Sequence, residues 1–370
     1  MNIRRLLVGV AMMLIAVAAS ASPRKPVIQL AILLDTSNSM DGLIDQARTQ
    51  LWRVINELAS ARKDGVAPNL QVALYEYGNS NLSAERGYVR RVLQLTTDLD
   101  LVSEKLFALS TNGGEEYCGH VIRDATNGLE WSGSYTDLKL IFIAGNEPFT
   151  QGEVDYRESC RRALAKGILI NTIFCGDRQE GIATNWRDGA EIGEGHFMAI
   201  NQDAKVVDVI APQDKDIAAL GAQLNKTYIA YGTHGYAGAA RQEAQDANAA
   251  GAAAPSVNVE RQLAKSKAVY SNSSWDLVDA KTEGRVDLDK VAAKDLPVEM
   301  QKMTPAQRKE YVAQTAKKRA ELQSQMKALE TARAQYVKQQ LAKQAKGSTL
   351  DSAVVESVRA TGEKKGFRFQ

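Results

Sequence analysis

Between residues 27 and 231 two hydrophobic periods alternate along the chain. Val27-Ile-Gln-Leu-Ala-Ile-Leu-Leu34 is a nearly continuous apolar run, the pattern of a strand buried on both faces. Residues 41–60 follow with Leu43, Ala47, Leu51, Val54, Ile55 and Leu58 on one helical stripe. The same alternation predicts strands over 71–77, 88–95, 138–143, 168–174 and 196–200, and helices over 98–109, 117–129, 154–166 and 214–231. That order predicts the α/β class: a mostly parallel, Rossmann-like sheet flanked by helices, with ligands bound beyond the carboxyl ends of its strands.

The pattern changes after Gly232. Ala, Gly and Gln dominate as far as Pro255, so residues 232–300 read as a linker, or a loosely held helix, with a docking segment. The apolar island Trp275-Asp-Leu-Val-Asp279 supplies the docking. Thr304 can cap a helix, Pro305 suits its first position, and Gln307 completes a capping box. No Gly or Pro follows until Gly347, which predicts one helix roughly 60 Å long. Its thin stripe (Leu322, Met326, Leu329, Tyr336 or Val337, Leu341) is interrupted by Arg319, Arg333 and Gln340. Such a helix can project and self-associate as a coiled coil, or fold back onto the body. Residues 301–370 form the helical C-terminal region, ending in a further short helix and a tail.

The first residues follow another pattern. Arg4 and Arg5 precede an apolar stretch at 6–19, and Ala19-Ser20-Ala21 offers a small-residue cleavage site. Residues 1–21 therefore read as a secretory signal peptide, with an uncleaved anchor as the alternative. Periplasmic or secreted localisation follows, and no later segment is apolar enough to span a bilayer. The formal charge of +2 becomes zero without Arg4 and Arg5. Residues 304–346 hold ten Lys or Arg and three Glu, a net of +7, which leaves −7 for the rest. An acidic body and a basic helix follow, and no feature calls for nucleic acid. In an oxidising compartment the three cysteines suggest one disulfide and one free thiol. Cys160 and Cys175 are the expected pair, with Cys118–Cys160 the rival.

Candidate chemistry concentrates after the first strand. Asp35, Ser37 and Ser39 alternate in a turn between a strand and a helix, so one carboxylate and two hydroxyls can face one point. Hard oxygens of this kind suit Mg²⁺, Mn²⁺ or Ca²⁺. A serine here can also simply cap the helix. Cys118 and His120 stand at a helix start, but side chains two apart on a helix do not face each other. Their bland reading is structural. Metalloprotease, nucleophile-elbow and phosphate-loop signatures are missing from the sequence.

Asp35-Thr36-Ser37-Asn38-Ser39-Met40 on a first strand resembles the metal-ion-dependent adhesion site of von Willebrand factor A domains, and is similar to that of integrin β I-like domains. The resemblance covers residues 27–231. It implies that Asp35, partly through water, and the two serines hold the metal. The family usually adds a Thr after a Gly pair in a second loop, and an Asp before Gly at the end of the fourth strand. Here Gly113-Gly114 is followed by Glu115, and Gly145 stands where the Asp belongs, beside Asn146 and Glu147. Integrin β domains also use a Glu in the second loop. The expected ligand set is therefore Asp35, Ser37 and Ser39, with Glu115 and Asn146 added. The resemblance implies a non-enzymatic binding module for a protein partner in the cell envelope, one of whose acidic side chains completes the metal's coordination. Rival readings are an envelope scaffold with a degenerate site, and a thiol- or metal-dependent enzyme.

Overall fold

A computed structural model describes residues 24–200, 208–252, 254–343 and 350–369. The expected signal peptide lies outside the described residues. Six strands make the main sheet: β1 (Val27–Asp35), β2 (Asn69–Tyr77), β3 (Val89–Thr96), β4 (Leu138–Gly145), β5 (Ile168–Cys175) and β6 (Glu194–Ile200). They lie in the spatial order 3-2-1-4-5-6, all parallel except β3. This is the doubly wound order, in which β1 and β4 flank the point where the chain reverses its direction of travel across the sheet.

Successive side chains of a strand point to opposite faces, and β1 is apolar on both. Ile28, Leu30 and Leu34 enter a core shared with α1 (Asp41–Ser60) and α2 (Leu99–Phe107). Ala31 and Leu33 enter a second core, shared with α3 (Cys118–Gly128) and α4 (Tyr156–Ala165). The continuous apolar run of β1 is the consequence of this double covering.

Beyond β6 the chain makes a helical excursion and then returns. Its longer helices are α5 (Asp214–Asn225), α6 (Gly235–Ala250), α7 (Ser256–Lys265), α8 (Leu277–Thr282) and α9 (Pro305–Lys343). The last helix, α10 (Leu350–Lys364), comes back to the sheet. Its Val354 and Val358, with Phe367 beyond it, are buried in the core on the α1 side. Ser357 donates to Asn171 of β5 at 2.7 Å, and Ala61 and Arg62 pair with Phe369 and Arg368 in a short antiparallel ladder. The expected division into a self-contained body and a distal helical region differs from this arrangement, because the final residues cover the sheet.

Residues 232–300 are largely helical and closely docked. Trp275 stacks where a Cβ on Gly238 would come within 2.3 Å of its ring. Leu277 and Val278 are buried with Ile229, Leu288 and Met300. The long helix does not project along its whole length. Leu322 and Met326 pack on Ile217, Leu224, Val259 and Leu263, so those residues of the stripe expected to pair with another copy are covered within the chain. The two arginines that break its heptad are anchors. Arg319 meets Asp276 at 2.7 Å and Asp279 at 2.6 Å, and Arg333 meets Asp214 at 2.7 Å and Glu260 at 2.8 Å.

The cysteines correct an expectation. Cys118, Cys160 and Cys175 are all buried free thiols. Cys175 faces the core on the α1 side, whereas Cys160 lies in the α3–α4 core with Cys118. The sheet itself stands between Cys160 and Cys175, so position along one crossover did not bring them together. Unreduced native protein is expected to react with a thiol reagent only slowly, and to yield three thiols per chain once denatured. A count of one would restore a disulfide.

Candidate functional site

Asp35 ends β1 and Gly145 ends β4, so both stand at the carboxyl edge where the sheet order reverses. The chain turns directly after Asp35. Thr36 N–H donates to the Tyr77 carbonyl at 2.9 Å, and Ser37 N–H donates to Asp35 Oδ1 at 2.8 Å. That turn places Ser37 Oγ 3.3 Å from Ser39 Oγ. Asn146 Nδ2 donates to Ser39 Oγ at 3.2 Å, tying the loop after β4 to the loop after β1. Asp35, Ser37, Ser39 and Asn146 are thus brought together.

Glu115 is not. It is exposed, whereas the neighbouring Glu116 is buried and turned inward. The cause is local. Gly114 packs so close to the Gly78 carbonyl that a Cβ would come within 2.1 Å of that oxygen. The next two residues then diverge, and the second of them points at the site. Gly78, with φ +79°, leaves the gap: a Cβ there would meet Asp35 Oδ1 and Glu116 Cγ, each at 2.8 Å. Gln151 holds this arrangement, accepting from Glu116 N–H at 3.1 Å and donating to Glu147 Oε2 at 3.3 Å. Glu116 and Glu147 are the residues that sequence reasoning missed. The adjacency of Glu115 and Glu116 was visible, but which one is buried depends on the Gly78–Gly114 contact.

Gly145 also has a structural reason. A Cβ there would meet Tyr77 Oη at 2.6 Å and Asp35 Oδ2 at 3.0 Å. The Tyr77 hydroxyl, which donates to the Ala144 carbonyl at 2.9 Å, occupies the space a longer side chain would need.

The electrostatics are those of an unsatisfied acidic site. Burial pushes Asp35 up to about 7 against the lowering effect of its Ser37 hydrogen bonds, and Glu147 raises it further. Glu116 is likewise pushed up to about 7 by burial, then by Asp35 and Glu147. Asp35 Oδ2 and Asn146 Oδ1 are buried and make no hydrogen bond. A buried acceptor without a donor is costly. Two orphaned oxygens, two hydroxyls and crowded carboxylates match the preferences of a hard divalent cation. Among the described residues no three His, Cys, Asp or Glu converge as a ligand cluster, so hydroxyl and amide oxygens would have to share the coordination.

Cys118 and His120 both lie on α3. The Cys118 thiol is buried, is pushed well above the usual range by that burial, and donates to Tyr77 Oη at 3.8 Å.

Searches of family models and of curated proteins give no match to the chain. Solved structures show partial likeness. BatB from Bacteroides thetaiotaomicron is 17% identical over 47% of this chain and 90% of its own, with a TM-score of 0.36. The SpRpn10 VWA domain is 15% identical over 48% of this chain and 90% of its own, at 0.37. An aerotolerance-related membrane protein from Bacteroides fragilis NCTC 9343 is 18% identical over 48% and 93%, at 0.33. No helix among the described residues is long and apolar enough to cross a membrane.

Proposed function

We propose that this chain is an exported, non-enzymatic binding module of von Willebrand A type, which takes a protein ligand at the β1–β4 edge through a divalent cation. Asp35, Ser37 and Ser39 would hold the ion, with Glu116 in place of Glu115 and Asn146 as a further oxygen donor. The ion supplies an open coordination position for an acidic oxygen of the partner. Asp35 Oδ2 carries this reading: a buried carboxylate oxygen without a hydrogen bond, on a side chain that faces Glu116 across Gly78. The buried, protonated Cys118 favours binding over thiol chemistry, because the thiolate is the nucleophile. Periplasmic or secreted localisation rests on residues 1–21, which lie outside the described structure.

Calorimetric titration with Mg²⁺ and Mn²⁺ tests the site. The native chain should bind, and Asp35→Ala should not. Asp35 and Glu116 hold protons up to about pH 7 without an ion, and a cation must displace them. Affinity should therefore fall as pH drops through 7, by roughly tenfold or more between pH 8 and 6. In chelator, folding stability should fall as pH rises from about 4 to 7, because there the folded state binds more protons than the unfolded. Added Mg²⁺ should reverse that loss above pH 7. Binding that survives Asp35→Ala places the ion elsewhere, and no binding at any pH favours an envelope scaffold with a degenerate site.

A further inference from the structure

Beside the carboxylates stands a built aromatic platform. The Tyr88 and Tyr117 rings meet edge to face with centroids 5.7 Å apart, and His120 lies 5.4 Å from Tyr117. Two left-handed glycines make room for them. Gly152 (φ +85°) lies under Tyr117, and Gly87 (φ +68°) lies against His120, where a Cβ would approach the rings to 2.7 and 2.5 Å. Tyr88 itself has φ +52°, a strained conformation for a bulky residue. The fold holds it there through Gly78 N–H donating to the Tyr88 carbonyl, and Tyr88 N–H donating to the Ser83 carbonyl, both at 3.1 Å. Backbone strain that the surroundings enforce clusters at functional sites.

The platform sits in a negative field. Glu115 stands two residues before Tyr117, and Glu153 directly follows the Gly152 that packs against the Tyr117 ring. Glu115 and Glu153 are exposed, and neither forms an ion pair among the described residues. His120 adds no charge near neutral pH, because burial and then Arg123 lower its pKa. Arg123 is itself paired with Asp124 at 3.2 Å. Half-buried rings ringed by unpaired carboxylates attract a cation over their faces, and a planar guanidinium best.

We propose that Tyr88 and Tyr117 form a subsite for a basic side chain of the bound protein, arginine above lysine. The inference rests on the proposed cation site for its orientation. Tyr117 directly follows Glu116, so a partner whose acidic group enters that site would lay a nearby basic residue on the rings. Acid and base within a few residues of each other would then be the recognised feature.

The test is an amide NMR titration of the full chain with N-acetyl-arginine amide, and with its neutral citrulline counterpart. Arginine should shift the Gly87, Tyr88 and Gly152 amides saturably, and citrulline should bind at least fivefold more weakly. Tyr88→Gly, which relieves the positive φ and so keeps the fold, should lose the arginine shifts when combined with Tyr117→Leu. Equal response to citrulline, shifts elsewhere, or undiminished binding by the double variant overturns the proposal. Mg²⁺ read at the Gly78 and Gly145 amides separates the two ideas. If Mg²⁺ shifts those amides while arginine leaves Gly87 and Gly152 unmoved, the subsite fails and the cation site stands. If arginine binds while Mg²⁺ shifts nothing, the reverse holds.

Discussion

A chain lacking residues 350–370 is expected to lose its sharp thermal transition while keeping much of its helix and strand content. Val354, Val358 and Phe367 lie 6%, 1% and 1% exposed in the core between the sheet and α1. Fully burying a side chain of this kind contributes about 1.5–3 kcal/mol, so the three together supply roughly 5–9 kcal/mol. Net stabilities of domains are only about 5–15 kcal/mol. Losing the tail also strips the ladder at Ala61–Arg62 and the Ser357 hydrogen bond to buried Asn171. Cutting at Gly232 should be worse, since it removes α7 as well, with Val257 and Ala264 in the same core. The expected signature is retained far-ultraviolet dichroism, lost near-ultraviolet dichroism and binding of a hydrophobic dye. A sharp transition within a few degrees of the full chain's would show that the body closes its own core.

That dependence was hidden in the sequence for a physical reason. Strand and helix periods over 27–231 place apolar faces but not what covers them. β1, α1 and β4 were legible because their apolar patterns are continuous or strictly helical, and the observed α1 matches the expected range. The covering of the sheet by α10 joins residues nearly two hundred positions apart, and no local pattern encodes that. Arg319 and Arg333 misled for a related reason. Charged residues on a helix normally face water, and it is the distant Asp276 and Asp279, and Asp214 and Glu260, that turn them into buried anchors. At the site, Asp35, Ser37 and Ser39 were legible because one short turn holds all three. Glu116 and Glu147 arrive from other loops, and their orientation depends on the glycine contacts at Gly78 and Gly114.

Arg261→Met should be the most destabilising single substitution at the junction between the helical excursion and the sheet domain. Arg261 is fully buried, with Nη1 2.7 Å from Asp100 of α2 and Nε 2.6 Å from Asp246 of α6. Its Nη2 donates to the Gln242 carbonyl at 3.0 Å, and the guanidinium lies 4.7 Å from the centroid of the Trp52 ring in α1. One side chain therefore ties α1, α2, α6 and α7 together. Taking such a pair out of water is expensive, and the pair need not be worth more than apolar residues of its size. Breaking it is different, because Asp100 would stay buried with Tyr270, donating at 2.5 Å, as its remaining side-chain partner among the described residues. Removing one member of a buried pair costs about 3–5 kcal/mol. Asp246 is better protected, since Lys265 remains 2.7 Å away. The stranded charge on Asp100 should thus carry most of the loss. Adding Asp100→Asn removes that charge while keeping an acceptor for Tyr270, so the double variant should recover about half of the lost stability or more. Denaturant midpoints at unchanged slope measure both steps. A loss below about 1 kcal/mol for Arg261→Met would mean that water enters the junction and solvates Asp100, since exposed pairs are worth no more than that. Additive losses in the double variant would instead place the role of Arg261 in its packing on Trp52.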